Sequence, residues 1–293
     1  GLDDAGVSYD RHTSTDDAVV SPRLNAAWAF AKSTVLRFGW GRFLQSQRVH
    51  ELMIEDGDDH LYPAERSNQW VVGVEHLGAP SSPLPVSSVR VEAYRRRVSN
   101  PRPRYEILLG AFDPFPEGEF DRVRIEPERA TAQGLEVLVQ GRPTPKVQWF
   151  VNYTLASTKD RVGGREIPRS IDQRHALNVD VNRRLGQHWN VNLAWVYRTG
   201  RPTTPLSIEE RPDEEGEDEF VPVLESINGR RLPNYHRLDV RLSRDWRRPS
   251  GVITFFVDAH NVYDRRNVAG LDVKLDEETG TLGTDPELWP RFF

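Results

Sequence analysis

The sequence predicts an all-β chain built as an antiparallel, up-and-down transmembrane β-barrel. Three observations carry that expectation. Apolar and polar residues alternate over long stretches, the links between stretches run alternately short and long, and aromatic residues gather near the stretch ends. A period of two puts successive side chains on opposite faces of a strand, so one face can meet lipid while the other stays wet.

Ten stretches show this alternation. Leu24, Ala26, Trp28 and Phe30 share the first face, and Leu36, Phe38 and Trp40 the second. Trp70, Val72 and Val74 come next, then Val89, Val91 and Ala93, then Leu135, Val137 and Val139. From Lys146 to Ser157, Val147, Trp149, Val151, Tyr153 and Leu155 oppose Gln148, Phe150, Asn152 and Thr154. Leu177, Val179 and Val181 oppose Asn178, Asp180 and Asn182. From His188 to Arg198, Trp189, Val191, Leu193, Trp195 and Tyr197 oppose Asn190, Asn192, Ala194 and Arg198. Leu238, Val240 and Leu242 then alternate with Arg237, Asp239, Arg241 and Ser243. Finally Ile253, Phe255, Val257 and Ala259 oppose Thr254, Phe256, Asp258 and His260. Slipping the 237–243 strand by one residue would turn two arginines toward lipid, at roughly 4–8 kcal/mol near the midplane. The pattern therefore fixes the faces.

The links Ala31–Ser33, His76–Ser87, Gly141–Pro145, Leu185–Gln187 and Trp246–Ser250 are short. Arg42–Ser67, Ser99–Thr131, Lys159–Ile171 and Thr199–Pro233 are long. Outer-membrane barrels sort their connections this way, with short periplasmic turns and longer extracellular loops. Trp28, Phe30, Trp40, Trp70, Trp149, Trp189, Trp195 and Tyr197 stand where interfacial girdles belong.

Composition agrees. The chain has 293 residues, 39 Lys and Arg against 44 Asp and Glu, and a net charge of -5, which gives no broad attraction for nucleic acid. Cysteine is absent, which excludes disulfides, thiolate metal sites and a cysteine nucleophile. No apolar run of 18 or more residues exists, so no helical span is expected. The mean hydropathy of -0.62 suits strands that are apolar only at every second position. The chain starts at Gly1 and stops at Pro290–Phe293, and both ends read as cut, with residues 1–20 an extracellular loop or the start of a fragment.

Candidate chemistry is sparse. The run Glu209–Glu219 holds eight carboxylates in eleven residues, but lacks the spacing of a calcium loop and reads as a solvated loop. Asp258 and His260 share one face and read as polar lumen lining, as do Arg174, Glu136, Asp180, Arg237, Asp239 and Arg241. No nucleophile elbow, zinc-binding helix or P-loop occurs, so no enzyme, cofactor or metal is expected. Gly163 and Gly164 read as loop punctuation. Arg42, Gln45, Gln47, Tyr62, Tyr105, Arg201 and Tyr235 are the plausible ligand residues of the long loops, and none stands out.

Several stretches resemble the TonB-dependent receptors of Gram-negative outer membranes. They are Ser21–Asn25, Leu36–Phe43, Gly134–Glu136, Asp172–Asn178, Tyr197–Pro202, Arg231–Arg241 and Asn261–Asn267, and their order and spacing are together specific. The resemblance implies about ten strands of a 22-stranded barrel, with residues 21–293 its C-terminal half. It places the N-terminal plug and TonB-contacting segment outside this chain, and likens Pro290–Phe293 to the opening of a final strand. It implies active uptake of a bulky, scarce nutrient (a ferric siderophore, a cobalamin or an oligosaccharide) across the bacterial outer membrane. The implied partners are the TonB complex, that small-molecule ligand, and outer-membrane lipid with lipopolysaccharide. A passive porin-like channel and a secreted soluble β-sandwich are the alternative readings.

Overall fold

The computed structural model describes residues 4–12, 17–78, 86–109, 121–212, 218–276 and 281–289. In chain order the strands begin with β1 (Asp4–His12), β2 (Asp17–Ala31), β3 (Thr34–Gln45), β4 (Glu65–Leu77) and β5 (Ser88–Ser99). A loop hairpin, β6 (Arg104–Ile107) and β7 (Arg122–Ile125), precedes β8 (Arg129–Thr144), β9 (Val147–Val162) and the short β10 (Arg165–Pro168). Then come β11 (His175–Leu185) and β12 (Trp189–Arg198). The loop strands β13 (Pro202–Thr203), β14 (Leu206–Pro212), β15 (Asp218–Leu224) and β16 (Arg230–Arg231) follow. The series closes with β17 (Tyr235–Arg248), β18 (Gly251–Ala259), β19 (Val268–Asp276) and β20 (Thr281–Leu288). Among the described residues the helical pieces are two 3-10 turns, Val49–Glu51 and Ile54–Asp56.

One antiparallel sheet runs β1-β2-β3-β4-β5-β8-β9-β11-β12-β17-β18, with β10 extending from β9. All ten expected strands are present. An eleventh, β1, lies within the segment expected to be a loop or fragment start, and pairs with β2 from Asp4↔Asn25 to His12↔Asp17. The sheet is open in this chain, since β1 and β18 are not paired with each other. The tight connections at 32–33, 145–146, 186–188 and 249–250 share one end, the turn end, with the 78–87 link. The long connections share the other, the loop end. The expected sorting holds for the nine links named above, while the link between β1 and β2, at the loop end, is only residues 13–16.

Register confirms the faces and reveals the stagger. Trp28 stands opposite Leu36, and the row continues through Val74, Val91, Val137, Tyr153, Leu177 and Tyr197 to His236. Trp28 lies close to the turn end of β2, whereas His236 is the second residue of β17 at the loop end. A row that climbs from one end to the other means tilted, sheared strands, the geometry a barrel wall requires.

The apolar row packs against no second protein layer among the described residues. Trp28 is 61% exposed, Val72 52% and Phe255 58%, which marks a surface shaped for lipid and not the interior of a β-sandwich. Trp149, Trp189 and Trp246 stand near the turn end with Trp28, and Trp40, Trp70, Trp195 and Tyr197 near the loop end. From Trp189 to Tyr197 is eight residues, about 27 Å of strand and about 21 Å of height at a tilt near 40°. That matches an apolar band of about 25 Å. The Arg244 guanidinium sits 5.1 Å from the Trp189 ring and 4.9 Å from that of Trp246, a cation held at the interface by two aromatic faces.

The opposite face is polar and self-paired. Arg37 and Arg90 both reach Glu75, Arg90 also reaches Glu92, and Asn192 donates to Asp180. Most of the most deeply buried residues lie elsewhere, at the loop end.

Candidate ligand-binding site

The loops form a single interlocked layer. In 46–64, Gly57 adopts a left-handed φ of 88°, which lets the chain reverse after the second 3-10 turn. Gln47 braces this loop: its amide donates to the Glu51 carbonyl at 3.2 Å and its carbonyl accepts from the Tyr62 N–H at 2.9 Å. The Tyr62 hydroxyl donates to Asp58, and partial burial followed by this neighbour raises the Tyr62 pKa. Glu51 accepts from the Arg48 N–H and from Arg102, and these bonds, the backbone one foremost, hold its carboxyl below the ordinary glutamate value.

Ion pairs then tie loop to loop. Arg122 grips Asp56 through both carboxylate oxygens, and the Tyr105 hydroxyl donates to the Asp56 carbonyl. Asp160, 1% exposed at the end of β9, accepts from Arg104 at 2.5 Å and Arg169 at 3.1 Å. Arg231 binds the Asp172 carboxylate and also donates to the Gly200 carbonyl. Asn228 donates to the Pro168 carbonyl, and the Leu271 N–H to that of Leu109. Five connections thus become one platform.

Beneath it, at the loop end of β12 and β17, opens a cavity of about 420 Å³. Gln173, Arg198, Arg201, Tyr235, Arg237 and Trp289 line it, with Ile171, Val196 and Val268 as apolar wall. Val196, Arg198, Tyr235 and Arg237 have the polar-face parity of their strands, so the cavity lies on the lumen side. Gly200 is required here, because a Cβ would collide with the Leu232 carbonyl. That close approach, with Asn234 accepting from the Gly200 N–H, sets the direction in which Arg201 leaves the backbone. The Arg201 guanidinium stands 5.9 Å from the centre of the Trp289 ring. Arg237 pairs with Asp239 at 2.9 Å, while Arg198 and Arg201 have no ion pair among the described residues. Among the described residues the lining holds three guanidiniums and no carboxylate. It can take an anion with a flat or aromatic body, through charge-assisted hydrogen bonds and ring stacking.

Of the seven loop residues singled out in the sequence, the structure brings Arg201 and Tyr235 to this cavity. Gln47, Tyr62 and Tyr105 are committed to bracing loops. Arg42 and Gln45 are not loop residues: β3 runs on through both, because polar residues can continue a ladder beyond the membrane. Arg198 and Arg237 were visible only as polar-face residues, and their place at the loop end of adjacent strands was the missed signal. Trp289 carried none. Asp258 and His260 do not pair with each other; Arg241 binds Asp258 through both oxygens and His260 lies 3.4 Å from Asp239. In the acidic run, Arg211 pairs with Glu209, and residues 213–217 lie outside the described residues, as does Pro290–Phe293. Among the described residues no group of three or more His, Cys, Asp or Glu is placed to hold a metal.

A staggered up-and-down sheet with a lipid-facing apolar row, aromatic girdles and a cavity under interlocked loops defines a receptor-type membrane β-barrel. The sequence matches the family described as TonB dependent receptor-like, beta-barrel, over residues 4–262, and the chain belongs to that family. Similar solved structures include the siderophore receptor PirA of Acinetobacter baumannii, at a TM-score of 0.62 and 13% identity, covering 89% of this chain and 39% of that one. The ferric enterobactin receptor PfeA of Pseudomonas aeruginosa aligns at 0.58 and 16% identity, covering 91% and 38%. The outer membrane transporter YddB of Escherichia coli aligns at 0.62 and 9%, covering 90% and 39%. The chain thus spans less than two-fifths of these relatives. No curated protein matches it by sequence.

Proposed function

We propose that the chain is part of an outer-membrane receptor that takes up a scarce, bulky, anionic nutrient, a ferric siderophore, with energy delivered through TonB. The sheet from β1 onward then belongs to the C-terminal half of the barrel of a longer receptor, which takes in Asp4–His12 as well as residues 21–293, and the plug and TonB-contacting segment lie elsewhere in the protein. The observation that supports this reading is the lumen-side cavity at the loop end, where Arg198 and Arg201, without an ion pair among the described residues, stand beside Trp289 and Tyr235. An acidic ferric chelate presents the negative charge and the flat rings that this lining suits. A neutral oligosaccharide would leave two guanidiniums without a counter-charge.

The test is a binding titration of the full-length receptor with an anionic ferric tris-catecholate and with a neutral ferric hydroxamate. Arg198→Ala with Arg201→Ala is expected to weaken the anionic chelate about tenfold or more, each charge-assisted bond being worth ~1.5–3 kcal/mol, and to leave the neutral one unchanged. Equal affinities in wild type and variant for the anionic chelate would refute the reading.

A further inference from the structure

The outward face of the barrel changes character at the loop end of β5, β8 and β9. Ala93, Leu135 and Leu155 stand opposite one another as the last apolar row. Past them, on the same face, come Arg95, Gln133 and Ser157, then Arg97, Thr131 and Lys159, then Arg129 and Arg161 with Glu166 of β10 alongside. These side chains line one shallow pocket with five cations and a single carboxylate among its described residues. Lys159 pairs with Glu166 and Arg161 with Glu128, each at 3.3 Å. Arg95, Arg97 and Arg129 have no ion pair among the described residues.

This is a local concentration of positive charge in a chain whose net charge is -5. The same face of β11, β12 and β17 ends instead in His175, Tyr197 and His236, so the basic pocket occupies one sector of the wall. Its height is also specific. Two residues of a strand tilted about 40° rise about 5 Å, and four rise about 10 Å. A headgroup layer is about 5–8 Å deep on each side of the hydrocarbon. The first two tiers of cations therefore stand within and just beyond headgroup level, and Trp70, directly opposite Arg95, marks the boundary.

We infer that this pocket binds the phosphate groups of a phosphorylated glycolipid of the outer leaflet. Only a molecule anchored in the bilayer can cover the apolar row beneath and reach the guanidiniums above it together. Arginine forks match phosphate oxygens bidentately. The site faces lipid, on the opposite side of the wall from the Arg198–Arg201 cavity, so it does not rest on the uptake reading.

The test uses the full-length receptor in nanodiscs, probed with bisphosphorylated lipid A, enzymatically dephosphorylated lipid A and inorganic phosphate. Wild type is expected to prefer the phosphorylated lipid, and inorganic phosphate at equal concentration to leave it bound. The variant Arg95→Ala/Arg97→Ala/Arg129→Ala should lose about tenfold in affinity, equivalent to about 1.4 kcal/mol. The corresponding triple lysine variant should recover part of the loss, and Leu193→Ala, on the lipid face away from the pocket, should bind the lipid as wild type does. Equal binding of both lipids by wild type, full displacement by inorganic phosphate, or an alanine variant indistinguishable from wild type would overturn the proposal. Should the alanine variant fail to assemble, the lysine variant and the wild-type lipid comparison decide alone.

Discussion

The wall and the loop layer of this protein are stabilised by different means. In the wall, backbone ladders satisfy the chain and the apolar row stands exposed, awaiting lipid; seven of the nine residues of β18 in a row, Gly251–Val257, are exposed. In the loop layer, Ile125, Thr204 and Asp160 are each 1% exposed, and ion pairs join segments far apart in sequence, Arg122 to Asp56 across 66 residues. The wall depends on its solvent; the loop layer carries its own core. A single substitution should therefore be felt through the membrane in one region and through lost partners in the other.

The sharpest contrast comes from removing Asp160. Arg104 and Arg169 would then face each other without their shared carboxylate. Breaking such a partly buried network costs about 3 kcal/mol or more. Asp160→Ala is expected to raise hydrogen exchange across 100–109 and 163–174 while the strand amides of β9 and β11 stay protected. Loss of strand protection as well would erase the distinction between the two regions.

Within the wall, neighbouring positions should differ by face. Leu193→Arg puts a charge into lipid and is expected to destabilise by about 2–4 kcal/mol, with less assembled barrel in heat-modifiability gels. Asn192→Arg, one residue away on the lumen side, should cost under about 1 kcal/mol. Equal effects would mean that the face assignment carries no energetic weight.

The smallest effect is the pH response of the loops. The Glu51 carboxyl titrates below its ordinary value because the folded loop donates hydrogen bonds to its charged form. Its stabilisation is therefore present above the ordinary glutamate pKa and lost as pH falls through the lowered one. Protease sensitivity of 46–64 should rise in that acidic window, and Glu51→Gln should flatten the change.

What the sequence made legible follows the same division. Ten strands, their faces and the sorting of their links could be read because lipid imposes a period of two. The strands outrun that reading where lipid ends: β9 extends to Val162 although its alternation fades after Leu155, since Ser157, Lys159 and Arg161 face headgroups and water. β1 has only Ala5, Val7 and Tyr9 to announce it. The loop hairpins and the cavity were hidden, because Arg104, Asp160, Arg231 and Asp172 meet through distant contacts that no local pattern encodes. Arg198 and Arg237 were assigned to the polar face, but only the register of β12 against β17 brings them to one opening.

Odd and even positions of these strands live in different solvents, and this chain, which has no cysteine of its own, lends itself to measuring the difference once any cysteine elsewhere in the protein is replaced. Single cysteines placed from 190 to 195 and from 237 to 242 in the full-length protein, spin-labelled in bilayers, report collisions with oxygen and with a water-soluble nickel chelate. High oxygen accessibility is expected at 191, 193, 195, 238, 240 and 242, and low values at the positions between them. A flat profile, or the opposite parity, would contradict it.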